Sequence, residues 1–252
     1  MVRTNLFRLS AIAMLICIAP LAAWNQIQRS ITTGDGRETR DASPLKPLSW
    51  WAKNLKLDAR DEWLSSPHNK NYRVEQSVTR IGAISGKIIT QIITTTYDDN
   101  DAPQMQWKSL LVQTGHADFI EIFRLQTYDP ERLKSATIYG SGSDAILRTS
   151  DSTGGNAGYC SEGYWWFDQA GPHEVDFSPL RQAVSRATPK DTTFTSDCWA
   201  LHPETNELDS GVQRLDANCH GCGFIGKVHA QYKIEQGIAI PVSIRFTPED
   251  SE

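Results

Sequence analysis

The strongest constraint on the fold is an alternation of apolar and polar residues near the C-terminus. Every second residue of 228–234 is apolar, and after Gln236-Gly237 the alternation resumes over residues 238–246. A period of two places the apolar side chains on one face of a strand. The pattern therefore predicts an antiparallel hairpin with one buried and one solvated face. Pro241 lacks an amide N–H, so we expect it at an edge or a bulge.

β-Branched residues indicate further strands. Eight of the nine residues 88–96 are Ile or Thr, and β-branching restricts χ1 in a helix but suits a pleated sheet. Other short candidates are bounded by Gly, Pro, Asp or Ser: residues 105–112, 119–126, 135–139 and 145–149. Short strands with such boundaries are typical of an antiparallel β region.

Two segments have a helical pattern instead. Apolar residues recur at steps of three and four over 49–64, with Ser49 as a possible N-cap. The second helix is expected over 179–187, where Pro179 suits the first turn and Ser178 is the expected cap. We therefore predict a mainly β (α+β) fold, in which an antiparallel sheet or sandwich-like domain carries one or two packed helices.

The N-terminus has the features of an export signal. Arg3 and Arg8 precede an apolar run, Leu9 to Ala23, whose only polar member is Ser10. As a helix this run would span roughly 22 Å, which is short for a hydrocarbon core of about 30 Å. The alternative is an uncleaved membrane anchor. We expect a signal peptide over 1–23, a flexible tether over 24–47 and a single β-rich domain over 48–252.

Net charge excludes some partners. The whole chain carries −5, and loss of the two signal arginines makes it −7. Nucleic acids and anionic lipid surfaces both require basic protein surface. We therefore expect no nucleic-acid partner and no membrane association after signal cleavage, and a periplasmic or secreted location.

The cysteines are expected to form disulfides. Removing the signal removes Cys17 and leaves four: Cys160, Cys198, Cys219 and Cys222. An even number in an exported chain predicts two disulfides. The preferred pairing is Cys160 with Cys198 and Cys219 with Cys222, although three connectivities are possible.

The close pair Cys219 and Cys222 leaves two alternatives open. A C-x-x-C motif can be a thiol–disulfide redox site, with His220 lowering a thiolate pKa. Such sites usually accompany a βαβ unit, which the sequence around the motif does not suggest. Zinc bound by the four cysteines, or by three with His220, is the other alternative.

Two further groups of residues are candidate binding sites. Asp98, Asp99 and Asp101 lie in a short turn and form a weak calcium candidate, because calcium prefers oxygen ligands. Asp is also a common turn residue. Trp165 and Trp166 could supply a ligand platform, but adjacent strand residues point to opposite faces, so only one of them could join it.

Two cysteine-bearing segments resemble a group of uncharacterised exported bacterial proteins. They are residues 154–160, Gly-Gly-Asn-Ala-Gly-Tyr-Cys, and residues 216–223, Asp-Ala-Asn-Cys-His-Gly-Cys-Gly. The resemblance extends over about residues 135–246, where a cysteine-containing turn precedes a closing pair of strands. It implies a β-rich exported domain and implies no activity or catalytic residue.

The sequence therefore favours a non-enzymatic envelope protein. It contains no H-E-x-x-H, G-x-S-x-G or phosphate-binding G-x-x-x-x-G-K-[ST] motif. We expect a binding or structural domain without a cofactor, whose partner is an envelope protein or a glycan. A secreted hydrolase acting on a glycan or other polymer, and a thiol–disulfide oxidoreductase using Cys219 and Cys222, are the alternatives.

Overall fold

The computed structural model describes residues 28–32, 38–65, 73–115, 117–127, 135–152, 160–194, 200–216 and 223–249. Strands dominate this part of the chain, which also contains two α-helices. The strands are β1 Gln28–Thr32, β2 Glu38–Ala42, β3 Lys46–Pro47, β4 Arg73–Ile84, β5 Lys87–Tyr97, β6 Pro103–Thr114, β7 Asp118–Thr127, β8 Thr137–Tyr139, β9 Ile146–Ser152, β10 Cys160–Phe167, β11 Pro172–Glu174, β12 Thr192–Phe194, β13 Ala200–His202, β14 Glu207–Arg214, β15 Phe224–Glu235 and β16 Ile238–Pro248. The helices are α1 Leu48–Ser65 and α2 Ser178–Ala187. The predicted sheet-dominated α+β class is confirmed.

The strands form three sheets. Sheet A has the order β2-β1-β7-β6-β5-β4, with β3 also pairing with β7. Sheet B has the order β11-β10-β9-β8, and sheet C the order β12-β14-β15-β16, with β13 on β14. Among the pairs of these named strands, β1 and β7 run parallel and the others run antiparallel. Short hairpin turns explain this predominance, since parallel neighbours need a long crossover.

Sheet B lies between two apolar cores, because successive residues of β9 and β10 point to opposite faces. Leu147, Trp165 and Phe167 pack with sheet A residues such as Leu110 and Phe123. On the other side, the core contains one face of sheet B, α2 and the inner face of sheet C. Its members from sheet B and α2 are Ile146, Tyr164, Leu180 and Val184. Sheet B thus joins the two halves of the described chain.

The residues expected to form a flexible tether contribute strands instead. Residues 28–32 and 38–42 are β1 and β2, and β1 extends sheet A beside β7. Polar residues without a clear apolar period gave no sequence signal for these strands. Their position is set by backbone pairing and by ion pairs of Arg29, both of which are long-range. The β-rich part of the chain therefore begins earlier than residue 48.

The two predicted helices and the C-terminal hairpin are present. The cap of α2 differs from the expectation: Phe177 occupies the N-cap position, Ser178 is the first helical residue, and the Asp176 carboxylate accepts the Ser178 N–H at 2.8 Å. Hydrogen bonds from the Ser178 hydroxyl and from the Ser178 amide N–H lower the pKa of Asp176. An acceptor at this position replaces a partner that the first turn of a helix lacks.

The second strand of the hairpin departs from the simple alternation. A register shift between Gln231 and Tyr232 leaves Val242 as an extra residue beside Pro241, so the predicted bulge or edge position of Pro241 is confirmed. A one-residue slip moves side chains to the other face. As a result Ala239 is buried, whereas Val242 is 61% exposed.

Helix α1 covers the face of sheet A that points away from sheet B. Trp51, Leu55 and Ala59 lie at four-residue steps and are buried against the sheet. The Trp51 Nε1–H donates to the Phe119 carbonyl oxygen at 3.0 Å. In the described part of the chain, neither helix is long and apolar enough to cross a membrane.

Candidate ligand-binding cleft

A cleft of about 500 Å³ opens between α1 and the edge strand β4. Its lining consists of Lys53, Lys56, Leu57, Arg60, Arg73 and Val74. Positions 53, 56, 57 and 60 lie three and four residues apart, so they share one flank of the helix. This flank is distinct from the stripe of Trp51, Leu55 and Ala59 that packs on the sheet. One side of the cleft is therefore a helix that is held on the sheet by its buried stripe, and the other side is a strand.

Hydrogen bonds place β4 beside this helix. Gln76 Nε2 donates to the Ala52 carbonyl oxygen and to Thr94 Oγ1, both at 3.0 Å. Val74 and Val78 lie two residues either side of Gln76 and share its face of the strand. Val74 lines the cleft, and Val78 is 49% exposed. The strand thus presents apolar side chains towards the helix.

The four cations of the cleft are neutralised unequally. Arg60 pairs with Asp61 at 2.8 Å, and Arg73 pairs with Glu75 at 2.6 Å and with Asp101 at 3.3 Å. Neither Lys53 nor Lys56 has a carboxylate within 4 Å among the described residues. Two ammonium groups therefore remain available to a ligand. Their position is a local exception in a chain with a net charge of −5.

Arg73 is held by an aromatic ring as well as by carboxylates. Its guanidinium carbon lies 4.3 Å from the centre of the Tyr97 ring, a distance suited to a cation–π contact. Burial raises the pKa of Tyr97, and a hydrogen bond to Glu75 raises it further. The phenol therefore stays protonated at neutral pH, and Arg73 is oriented by three neighbours at the mouth of the cleft.

A second polar cluster lies under α1, away from the cleft. Glu121 is fully buried and accepts Arg124 Nε at 2.9 Å, Arg124 Nη2 at 3.1 Å and Arg29 Nη1. Arg124 also pairs with Asp58 of α1 at 3.1 Å. Burial alone would lower the pKa of Arg29, but its hydrogen bonds and charge interactions with Asp41 and Glu121 raise it. These ion pairs connect β1, β7 and α1.

The two tryptophans proposed as a ligand platform point in opposite directions, as the alternation of a strand requires. Trp165 is 5% exposed and packs edge-on against Phe123, with ring centres 5.6 Å apart. Trp166 is half-buried and stacks on His173 at 5.0 Å. The Trp166 indole also lies against Gly237, where a Cβ atom would overlap it. Trp165 thus belongs to a core, and Trp166 fills the junction between sheet B and the C-terminal hairpin.

The aspartates proposed as a weak calcium site form a hydrogen-bonded turn. The Asp98 carboxylate accepts the amide N–H groups of Asn100 at 2.9 Å and Ala102 at 3.0 Å, and Gln104 Nε2 at 2.9 Å. Asp101 pairs with Arg73 instead. Over the described ranges, no three His, Cys, Asp or Glu side chains form a group that could hold a metal ion.

The cysteine predictions fall mostly outside the described residues. Cys17, Cys198, Cys219 and Cys222 lie there, together with His220. Cys160 begins β10, although its side chain is not among those described. The disulfide, zinc and redox interpretations therefore stay predictions.

The cleft was missed by the sequence analysis, although a signal for it exists. Lys53, Lys56 and Arg60 repeat at helical spacing on one flank of the helix, but a basic stripe on a helix is usually a solvated face. Nothing in the sequence places β4 beside that stripe. The 12-residue strand β4 itself was not predicted, because its apolar residues do not alternate regularly.

Comparisons of the chain with protein-family models, with curated proteins and with solved structures find no match.

Proposed function

We propose that this chain is an exported, non-enzymatic protein of the bacterial envelope that binds an anionic ligand in the cleft between α1 and β4. The observation that carries the proposal is a concave site with two ammonium groups, Lys53 and Lys56, that no carboxylate of the described residues neutralises. Ligand sites are typically concave, largely apolar and supplied with a few convergent polar groups. In this cleft the polar groups are four cationic side chains, and they converge beside the apolar Leu57 and Val74.

The lining residues support binding rather than hydrolysis. None of the six is a His, Cys, Ser, Asp or Glu, whereas general acid–base and nucleophilic catalysis depend mainly on such groups. Cations in a cleft attract and orient an anion through charge and hydrogen bonds. A glycan or an envelope component with phosphate or carboxylate groups supplies that chemistry.

The experiment is a titration of the isotope-labelled protein with ethyl phosphate, followed by amide chemical shifts. We expect saturable shifts at residues 53–60 and 73–74, weakened by added salt because exposed charges are screened. The double substitution Lys53→Gln/Lys56→Gln should weaken binding about tenfold or more. A titration in which the wild-type shifts do not saturate at these positions contradicts the proposal.

A matched control separates the site from net charge. Lys190→Gln/Lys227→Gln removes the same two charges from exposed positions outside the cleft, on the loop before β12 and on β15. We expect its affinity for ethyl phosphate to equal that of the wild type. If both double variants lose affinity equally, the attraction is nonspecific and the cleft is not the site.

Export needs its own test, because it rests on the N-terminal sequence. The apolar run after Arg3 and Arg8 predicts passage across the inner membrane. We expect the mature chain in the periplasmic or secreted fraction, beginning near Trp24. Recovery of the full-length chain from the cytosol would contradict this part of the proposal.

A further inference from the structure

We infer that the ligand of the cleft is a monomeric single-chain amphiphile with an anionic head, such as an alkyl phosphate or a fatty carboxylate. This inference rests on the proposed function and names the class of ligand. The lining of the cleft combines four cationic side chains with two apolar ones, Leu57 and Val74. A small inorganic anion would contact the cations alone.

The apolar part of the lining consists of Leu57 from the helix and Val74 from the strand. Both side chains are only partly buried in the protein, so they retain apolar surface that a ligand could cover. The lysines add to this surface, because their aliphatic stems lie along apolar regions while the ammonium groups reach water. Covering such surface favours a hydrocarbon chain over water.

The strand extends the apolar surface beyond the cleft. Val78 shares the face of Val74 and is 49% exposed, and four residues of strand span roughly 13 Å. Gln76, between them, is tied to Ala52 of the helix. The Gln76 amide thus crosses from β4 to α1 between the two valines, and Val78 lies beyond that hydrogen bond. Within the cleft itself, the hydrocarbon contact of the ligand is with Leu57 and Val74.

The cations are arranged for one head group. Lys53, Lys56 and Arg60 span about 10 Å along one flank of the helix, and within the described ranges the two lysines have no carboxylate partner. The cleft volume of about 500 Å³ lies within the range of small-molecule sites. It accommodates a single chain rather than a bilayer surface, which would contact a broad convex or flat patch.

The test compares three probes below their micellar concentrations: dodecyl phosphate, ethyl phosphate and dodecyl maltoside. We expect dodecyl phosphate to bind about tenfold or more tightly than ethyl phosphate, since each buried methylene contributes. Dodecyl maltoside, which has the chain without the charge, should bind at least tenfold more weakly than dodecyl phosphate. Vesicles of phosphatidylglycerol should not co-sediment with the protein.

Substitutions assign the two parts of the ligand to two parts of the cleft. Leu57→Gln/Val74→Thr should reduce the preference for dodecyl over ethyl phosphate towards one, with ethyl phosphate affinity unchanged. The control Leu215→Gln/Val242→Thr makes the same changes at exposed positions and should leave the preference as in the wild type. Val74→Thr alone serves if the double variant does not fold, because threonine suits a strand.

Each result bears on a different claim. Equal affinity of the wild type for dodecyl and ethyl phosphate overturns the amphiphile and leaves an anion site. Tight binding of vesicles without uptake of monomeric dodecyl phosphate also overturns it, in favour of a membrane surface. Failure to bind either phosphate, or equal binding of the phosphate and the maltoside, overturns the proposed anion site as well.

Discussion

The fully buried Glu121 carboxylate lies between the guanidinium groups of Arg29 and Arg124, which approach it from β1 and from its own strand β7. The Glu121 amide N–H is also satisfied, by Ser43 Oγ at 2.8 Å. A buried charge is tolerated only when its partners satisfy it. This cluster therefore fixes where the N-terminal strands and α1 meet sheet A.

Replacing Glu121 by Gln should destabilise the fold strongly. The change leaves two buried or half-buried guanidinium groups without their shared carboxylate, and breaking a buried ion pair costs about 3–5 kcal/mol. We expect that loss in the free energy of unfolding measured by urea denaturation. Glu235→Gln, which removes an exposed partner of Lys233, should cost less than about 1 kcal/mol. Equal effects of the two substitutions would mean that the cluster contributes nothing beyond a surface pair.

Arg29 should control whether β1 stays paired. Arg29→Met keeps an unbranched side chain but removes the ion pairs with Asp41 and Glu121. We expect faster hydrogen exchange at the amides of Ser30 to Thr32 than in the wild type, because β1 opens more often. The amides of β5, which lies between β4 and β6, are the internal control. Their exchange should be as slow as in the wild type. Unchanged exchange in β1 would show that backbone pairing alone holds the strand.

Acid should destabilise the protein through Asp41. Hydrogen bonding by Arg29 holds the pKa of Asp41 below its usual value, so below about pH 4 the unfolded chain binds a proton more readily than the folded one. Stability contributed by this carboxylate is therefore present above that pH and is lost as the pH falls through the folded-state pKa. We expect Asp41→Asn to give a shallower decrease in unfolding free energy below pH 4. Identical slopes would contradict this origin.

Two glycines in similar turns offer a matched comparison. Gly86 and Gly237 each end a two-residue hairpin turn, with φ of 75° and 77°, and an alanine there pays the cost of a left-handed backbone, about 1–2 kcal/mol. A Cβ at Gly86 meets open space, whereas one at Gly237 overlaps the Trp166 ring. We expect Gly237→Ala to cost about 1–3 kcal/mol more than Gly86→Ala in urea denaturation, because overpacking adds to the backbone cost. Equal costs would mean that Trp166 moves freely.

The cysteine pairing is tested by mass spectrometry of unreduced protein recovered from the periplasm. The sequence predicts disulfides between Cys160 and Cys198 and between Cys219 and Cys222. We expect proteolytic fragments linked in that pattern and the absence of insulin reductase activity. Four free thiols in the exported chain, or a reductase activity abolished by Cys219→Ser, would contradict the structural role.

Local patterns predicted the elements whose signal lies within one segment. The Ile and Thr run gave β5, and the period of three and four gave α1, because in both cases the residues that form the element also determine it. Strands β1 and β4 were missed. The residues of β1 are mostly polar, and its partner β7 lies far away in the sequence. The partner of β4 is the adjacent β5, but the apolar residues of β4 do not alternate regularly, so no local pattern marks the strand.

The same division applies to the sites. Alternation along β10 was enough to predict that Trp165 and Trp166 face opposite ways. Predicting the cleft would have required knowing that Arg73 and Val74 lie beside Lys53 and Lys56. The two lysines alone look like an ordinary solvated helix surface. Likewise, the exposure of Val242 depends on a bulge that the alternating pattern alone does not reveal.

The position of sheet B has a consequence for how the chain can be divided. Each face of sheet B completes a different core. Separating sheet B from either core would therefore expose apolar side chains on both resulting fragments. Neither piece would be an independent building block that could be shuffled into another protein. Sheets A and C, which both pack on sheet B, should accordingly unfold together in a single calorimetric transition.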